Sequence, residues 1–132
     1  LKPVGKYFLQ ACTTTPCWLR GSEEIMRCIK DRYGIASGQT SACERFSLLE
    51  VECLGACVNA PILQVNDDFY EDLDYETTGA LLDSLEADDP LPVGSVIGRS
   101  GSEASGGSTT LASVKSGKTS KSTSKRRGSA HA

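Results

Sequence analysis

The sequence predicts an α/β domain, a central sheet with a helix on each face, in the order β-α-β-β-β-α. Three features point there: two short apolar runs that each end in a pair of cysteines, an amphipathic segment between them, and a hairpin-then-helix pattern after the second. With 132 residues, 39% of them apolar, the chain can hold one such domain and little more.

The first strand is "KYFLQA", residues 6–11, rich in aromatic and apolar side chains and running directly into Cys12. "CTTTPC" follows, and Pro16 is expected to stop both strand pairing and any helix through that point. After Gly21 comes "SEEIMRCIKDRYG". Ser22 is the expected N-cap, Glu23 and Glu24 suit the positive end of the helix dipole, and Gly34 supplies the stop. Ile25, Cys28, Ile29 and Tyr33 recur at helical spacing and mark the buried face.

Residues 35–45 are a polar connection. "FSLLEVE", residues 46–52, is the second strand and carries Cys53 at its end. "ILQVN" and "FYEDL" flank "DD" and predict a hairpin. Asp74 can cap a last helix through Leu81, Leu82 and Leu85, with Gly79 inside it costing about 1 kcal/mol relative to alanine. The first three elements form a crossover unit, so their strands are expected to be parallel with a right-handed connection. Together the elements give the thioredoxin-like plan, over residues 4–94.

From residue 95 the pattern changes. Residues 1–94 carry 7 Lys or Arg against 16 Asp or Glu, whereas residues 95–132 carry 7 against 1. Gly, Ser and Thr make up 21 of those last 38 residues, and no aromatic occurs. Such a segment buries too little apolar area to offset an ordering cost of about 1–2 kcal/mol per residue, so residues 95–132 are expected to be disordered. Its dilute basic charge predicts a solvated tail rather than a specific nucleic-acid or membrane site. No run of about 18 apolar residues predicts a membrane span. The opening "LKPVGKYFLQ" lacks the zones of a signal peptide and reads as a chain entered in mid-course.

Six cysteines in a chain able to bury an ordinary core suggest metal ligation before a disulfide framework. Cys12 and Cys17 follow one predicted parallel strand; Cys53 and Cys57 follow the other. If those strands are neighbours, four sulfurs converge. A [2Fe–2S] cluster, a structural zinc and disulfides all remain open on that evidence. Gly55 would let amides approach sulfur, Thr13, Thr14 and Thr15 offer donors, and Leu54, Val58 and Trp18 are candidate shields. Cys28 is expected to be buried and inert, and Cys43 exposed in a polar loop. Glu50, Glu52, Asp67 and Asp68 are the acids expected around the site, where they would oppose reduction. Thiol–disulfide exchange is disfavoured, because it needs C-x-x-C at a helix N-terminus and the nearest pair is C-x4-C.

"GKYFLQACTTTPCWLRGS" and "FSLLEVECLGACVNAP" closely resemble the thioredoxin-like [2Fe–2S] subunit of respiratory complex I, the NADH:ubiquinone oxidoreductase. The family signature places an aromatic and Ser or Thr ahead of C-L-G-x-C, then Gly or Ala and Pro. Phe46, Ser47, Cys53, Leu54, Gly55, Cys57, Ala60 and Pro61 meet it. The resemblance implies that Cys12, Cys17, Cys53 and Cys57 bind the cluster and that the chain is an electron-transfer subunit on the mitochondrial matrix side, or in a bacterial cytoplasm. It also implies a flavin- and NADH-binding partner subunit and a neighbouring iron–sulfur subunit.

FMN and NAD would be reached only through a partner, because the chain has no G-x-G-x-x-G after a strand and its one histidine, His131, lies in the tail. No catalytic residue and no complete active site are therefore expected. The equivalent subunit of a soluble NAD-linked hydrogenase or formate dehydrogenase, and a divergent paralogue outside any respiratory complex, are the alternatives. Three departures bear on assembly rather than on cluster binding. Cys43 stands where the family usually has an acid, the family's helical segment ahead of the first strand has no counterpart here, and the tail differs.

Overall fold

The aromatic and aliphatic residues of "YFLQAC" form β1 (Tyr7–Cys12), and "FSLLEV" forms β3 (Phe46–Val51) beside it. They pair in parallel, from Tyr7 opposite Phe46 to Cys12 opposite Val51. Both strands thus end at the same edge, as the crossover unit requires. The computed structural model describes residues 4–99 and residue 106.

Between them lie α1 (Thr15–Leu19) and α2 (Ser22–Tyr33). Helix α1 departs from expectation. Pro16 sits in its first turn, where no intrahelical N–H bond is needed, so the proline starts a short helix instead of preventing one. The cap of α2 also moves by one residue. Because only two residues join the helices, Gly21 takes the N-cap with φ of 101°, and the Ser22 hydroxyl is buried without a partner. Gly34 ends α2 as expected, in the left-handed conformation with its N–H bonded to the Lys30 carbonyl at 2.8 Å.

A two-residue edge strand, β2 (Gln39–Thr40), pairs antiparallel with β3. The hairpin follows as β4 (Leu63–Val65) and β5 (Asp68–Glu71), and β4 pairs antiparallel with β1. Asp74 caps α3 (Tyr75–Glu86) through a full capping box with Thr77. A last short strand, β6 (Gly94–Ser95), runs parallel to β5, and the six-stranded order is β2-β3-β1-β4-β5-β6. The expected boundary after residue 94 is therefore too early. Ser95 pairs with Glu71, Val96 packs on the core, and hydrogen bonds continue to Arg99. Two residues of pairing are too few to raise a compositional signal. The rest of the expected disordered tail lies outside the described residues.

One main core holds the sheet to both helices. Leu9, Ala11, Phe46, Leu48, Leu63, Val65 and Tyr70 meet Ile25, Cys28 and Ile29 of α2 and Leu81, Leu82 and Leu85 of α3. Helices α2 and α3 also pack on each other, with Arg32 bonded to Asp83, Tyr33 to Glu86 and Tyr75 to Asp31. Both therefore lie on the same face of the sheet, which corrects the expectation of one helix per face. Helix periodicity reports a buried stripe but carries no information on which face of the sheet that stripe meets. Gly79 belongs to the α2–α3 contact: a Cβ there would lie 2.6 Å from the Arg32 guanidinium.

Candidate metal centre

Side-chain alternation along β1 decides where its cysteine goes. Leu9 and Ala11 face the main core, so Cys12 points to the opposite face. There it enters a second apolar cluster with Cys17, Ala60 and Ile62, flanked by Leu54, Ala56 and Phe69. Helix α1 delivers Cys17, its one buried residue. The loop after β3 brings Cys53, and a single 3-10 turn, Cys57–Asn59, brings Cys57. None of the six cysteines is disulfide-bonded.

The four predicted ligand residues are brought together as two pairs. The Cys53 and Cys57 Sγ atoms are 3.4 Å apart, and Cys12 and Cys17 share one buried apolar cluster, where each shifts the other's titration. The pairs also sense one another electrostatically, Cys57 acting on Cys17 and Cys12 on Cys57. Cys12 and Cys17 are fully buried, whereas Cys53 and Cys57 are exposed. The site thus has an inner wall and an outer wall.

Donors to sulfur line it. The Thr14 hydroxyl lies 3.1 Å from the Cys12 Sγ, and the Gly55 N–H donates to the Cys53 Sγ at 3.3 Å. Burial alone would push the Cys12 thiol up. The Thr14 hydroxyl and amide, the Cys17 thiol and the Leu54 amide outweigh it and hold Cys12 below the ordinary thiol range. Burial, and then the Cys12 thiol, push Cys17 up to about 12, and its single backbone donor, the Ile62 amide, does not offset them. Cys57 is raised by its hydrogen bond to Cys53. One favoured thiolate beside Cys17 and Cys57, which resist a second charge, makes a site that a cation would neutralise.

Gly55 has φ of 77°, and no atom lies within 4 Å of a Cβ placed there. Glycine is needed for the turn's conformation, not for room. Of the expected shields, Leu54 packs on the thiols, but Trp18 and Val58 are 54% and 49% exposed. Trp18 instead lies on the surface with its indole N–H on Glu23. Ile62 and Ala60, between the 3-10 turn and β4, and Phe69 of β5 fill the shielding role, while Leu63 and Tyr70 beside them face the main core.

The acids also sort differently. Glu50 pairs with Ala11 and accepts from the Thr13 hydroxyl, so it lies at the thiol end, as does Glu52 beside Cys53. Asp67 and Asp68 do not. Their turn sits at the far end of β1, where Asn66 accepts from the Phe8 amide. Their places are taken by Glu71 and Asp72, which hold Asn59 through a side-chain and a backbone hydrogen bond. Cys28 is buried in the main core and Cys43 is exposed, both as expected.

Among the described residues no three His, Cys, Asp or Glu side chains close up as a cage for one metal ion. Two thiol pairs on adjoining loops, with amide and hydroxyl donors beside them, suit a group that spreads its charge over two irons. The donor set fits a [2Fe–2S] cluster. The family model described as thioredoxin-like [2Fe-2S] ferredoxin matches residues 1–86.

The chain belongs to that family.

Within the thioredoxin-like [2Fe-2S] ferredoxins, the chain is 57% identical over 88 residues to an NADH-quinone oxidoreductase subunit of Rickettsia bellii, covering 67% of this chain and 53% of that one. It is 50% identical over 108 residues to the mitochondrial NADH dehydrogenase [ubiquinone] flavoprotein 2 of Dictyostelium discoideum, covering 82% and 44%. It therefore spans about half the length of these relatives. The fold also matches part of an NAD+-reducing [NiFe]-hydrogenase structure at a TM-score of 0.62 and 21% identity, over 67% of this chain and 16% of the other. The family's cofactor is a [2Fe–2S] cluster, and its relatives here are mitochondrial and bacterial oxidoreductase subunits. No helix among the described residues is long and apolar enough to cross a membrane.

Proposed function

We propose that this chain is the [2Fe–2S] electron-transfer subunit of a respiratory complex I, with Cys12, Cys17, Cys53 and Cys57 as the four ligands. The observation that supports this best is that both thiol pairs follow the shared end of two parallel strands, where Cys12 and Cys57 act on one another electrostatically. When bound there, the cluster supplies one-electron exchange. The chain's own residues set its surroundings: Leu54, Ala60 and Ile62 exclude water on the inner side, while Thr14 and Gly55 direct donors at sulfur.

Exposure of the outer pair supports electron exchange with a partner on that side. That partner is the flavin-bearing subunit that oxidises NADH, so FMN and NAD act on this chain only through it, and a neighbouring iron–sulfur subunit completes the setting. The names of the relatives at 50% identity and above support this choice. The hydrogenase likeness is one of fold and favours no second reading. The proposed location is the matrix side of the mitochondrial inner membrane, with bacterial cytoplasm as the alternative, supported by the mitochondrial and bacterial relatives.

Affinity purification of the tagged chain from its own cells tests the assignment. A co-purifying flavoprotein with FMN and NADH:ferricyanide activity is the expected result. A cluster-loaded chain recovered without any flavoprotein would identify it as a paralogue outside the complex.

A further inference from the structure

Arg99 lies 42 positions beyond Cys57, past the last strand, yet it reaches the turn that carries that cysteine. Its Nε donates to Asp72 Oδ2 at 3.0 Å, and its Nη2 donates both to Asp72 Oδ1 and, at 3.2 Å, to the carbonyl of Val58. Val58 is the residue next to Cys57, inside the 3-10 turn.

The other half of the grip comes from Asp72. Its side chain is only 4% exposed, its backbone N–H donates to the Asn59 carbonyl at 2.8 Å, and Ser95 Oγ donates to its second oxygen. Beside it, Glu71 accepts from the buried Asn59 amide at 2.9 Å. The turn carrying Cys57 is thus held from outside by one buried carboxylate and by a guanidinium that spans carboxylate and turn together. A bidentate arginine fork fixes direction as well as distance, which a lysine point charge does not.

We propose that the Arg99–Asp72 pair is a positioning clamp for the Cys57 turn, coupling the docking of the 94–99 strap to retention of the cluster. This rests on Cys57 being a ligand, as proposed above. Arg99 touches no sulfur; it acts through Val58. The pair also has an electrostatic consequence. With Arg99 present the Asp72 charge is neutralised beside the site, and without it a bare buried carboxylate disfavours added negative charge.

The test compares the full chain with Arg99→Gln, Arg99→Lys and the double variant Arg99→Gln/Asp72→Asn. Arg45→Gln serves as control, because Arg45 pairs with Asp88 and lies at the opposite end of β3. Iron release to a chelator is expected to be several-fold faster in Arg99→Gln and intermediate in Arg99→Lys, and to stay at the wild-type rate in Arg45→Gln. The midpoint potential is expected to fall in Arg99→Gln and to recover in the double variant, whose iron release stays fast. Wild-type release from Arg99→Gln, or equal acceleration in the control, would overturn the clamp.

Amide exchange at residues 57–59 in the metal-free chain separates this from the cluster assignment. Faster exchange there in Arg99→Gln supports the clamp even if no iron is bound, and unchanged exchange refutes it.

Discussion

The Sγ atoms of Cys53 and Cys57 stand 3.4 Å apart across a turn whose middle residue, Gly55, has φ of 77°. Only a residue tolerant of the left-handed region can hold both sulfurs on one side of that turn. Gly55→Ala is expected to cost about 1–2 kcal/mol in urea unfolding and to lower the iron content of the purified chain. Because a Cβ there meets no neighbour, the loss reports conformation alone. An alanine variant with full stability and full iron would contradict this.

Opposite shifts in midpoint potential are expected from two neighbours of the site. Thr14→Val removes the hydroxyl 3.1 Å from Cys12 Sγ, and losing a donor to sulfur lowers the potential. Glu50→Gln removes a negative charge at the thiol end of β3 and raises it. Each change is expected to be on the order of tens of millivolts, since about 59 mV corresponds to 1.4 kcal/mol for one electron. A redox titration followed by EPR reads both, and shifts of the same sign would refute the electrostatic assignment.

Stability is expected to follow the main core and the cap of α3. Leu82 is fully buried, so Leu82→Ala should cost about 2–5 kcal/mol. Asp74 accepts from the Thr77 amide at 2.7 Å, and Asp74→Ala should cost about 0.5–2 kcal/mol. Denaturant melts check both, and a Leu82→Ala loss no larger than that of Asp74→Ala would place the core elsewhere.

Asp88 gathers Lys6, Tyr7 and Arg45, whose bonds, Lys6 first, hold its carboxyl down at about 2 against an ordinary 3.8. A depressed carboxyl contributes stability that is complete above the ordinary value and disappears as pH falls through the folded one. The gap in melting temperature between wild type and Asp88→Asn is therefore expected to hold steady from neutral pH to about 4 and to close towards pH 2. A gap of constant size at pH 2 would show that the carboxylate charge is not what Asp88 contributes.

Much of this was legible in the sequence because it is local. Strand β1 ends in its own cysteine, the α2 stripe of Ile25, Cys28 and Ile29 has helical spacing, and Asp74 with Thr77 spells out a cap. What escaped was set by distant partners. Pro16 opens a helix because it falls in a first turn, and α3 joins α2 because Leu81, Leu82 and Leu85 share one core with the distant Ile25, Cys28 and Ile29. Asp67 and Asp68 fall at the wrong end of the sheet because antiparallel pairing of β4 with β1 sends their turn away from Cys12. Arg99 could not be found at all: a lone arginine in a Gly- and Ser-rich stretch gives no sign of reaching Val58.

The most direct measurement is the metal and sulfide content of the chain purified without air, with an EPR spectrum after reduction. Two irons and two labile sulfides per chain are expected, with a signal that disappears when Cys12 or Cys57 is replaced by Ala. Colourless protein carrying a single zinc, or a signal indifferent to both replacements, would contradict the joint grip of the two thiol pairs.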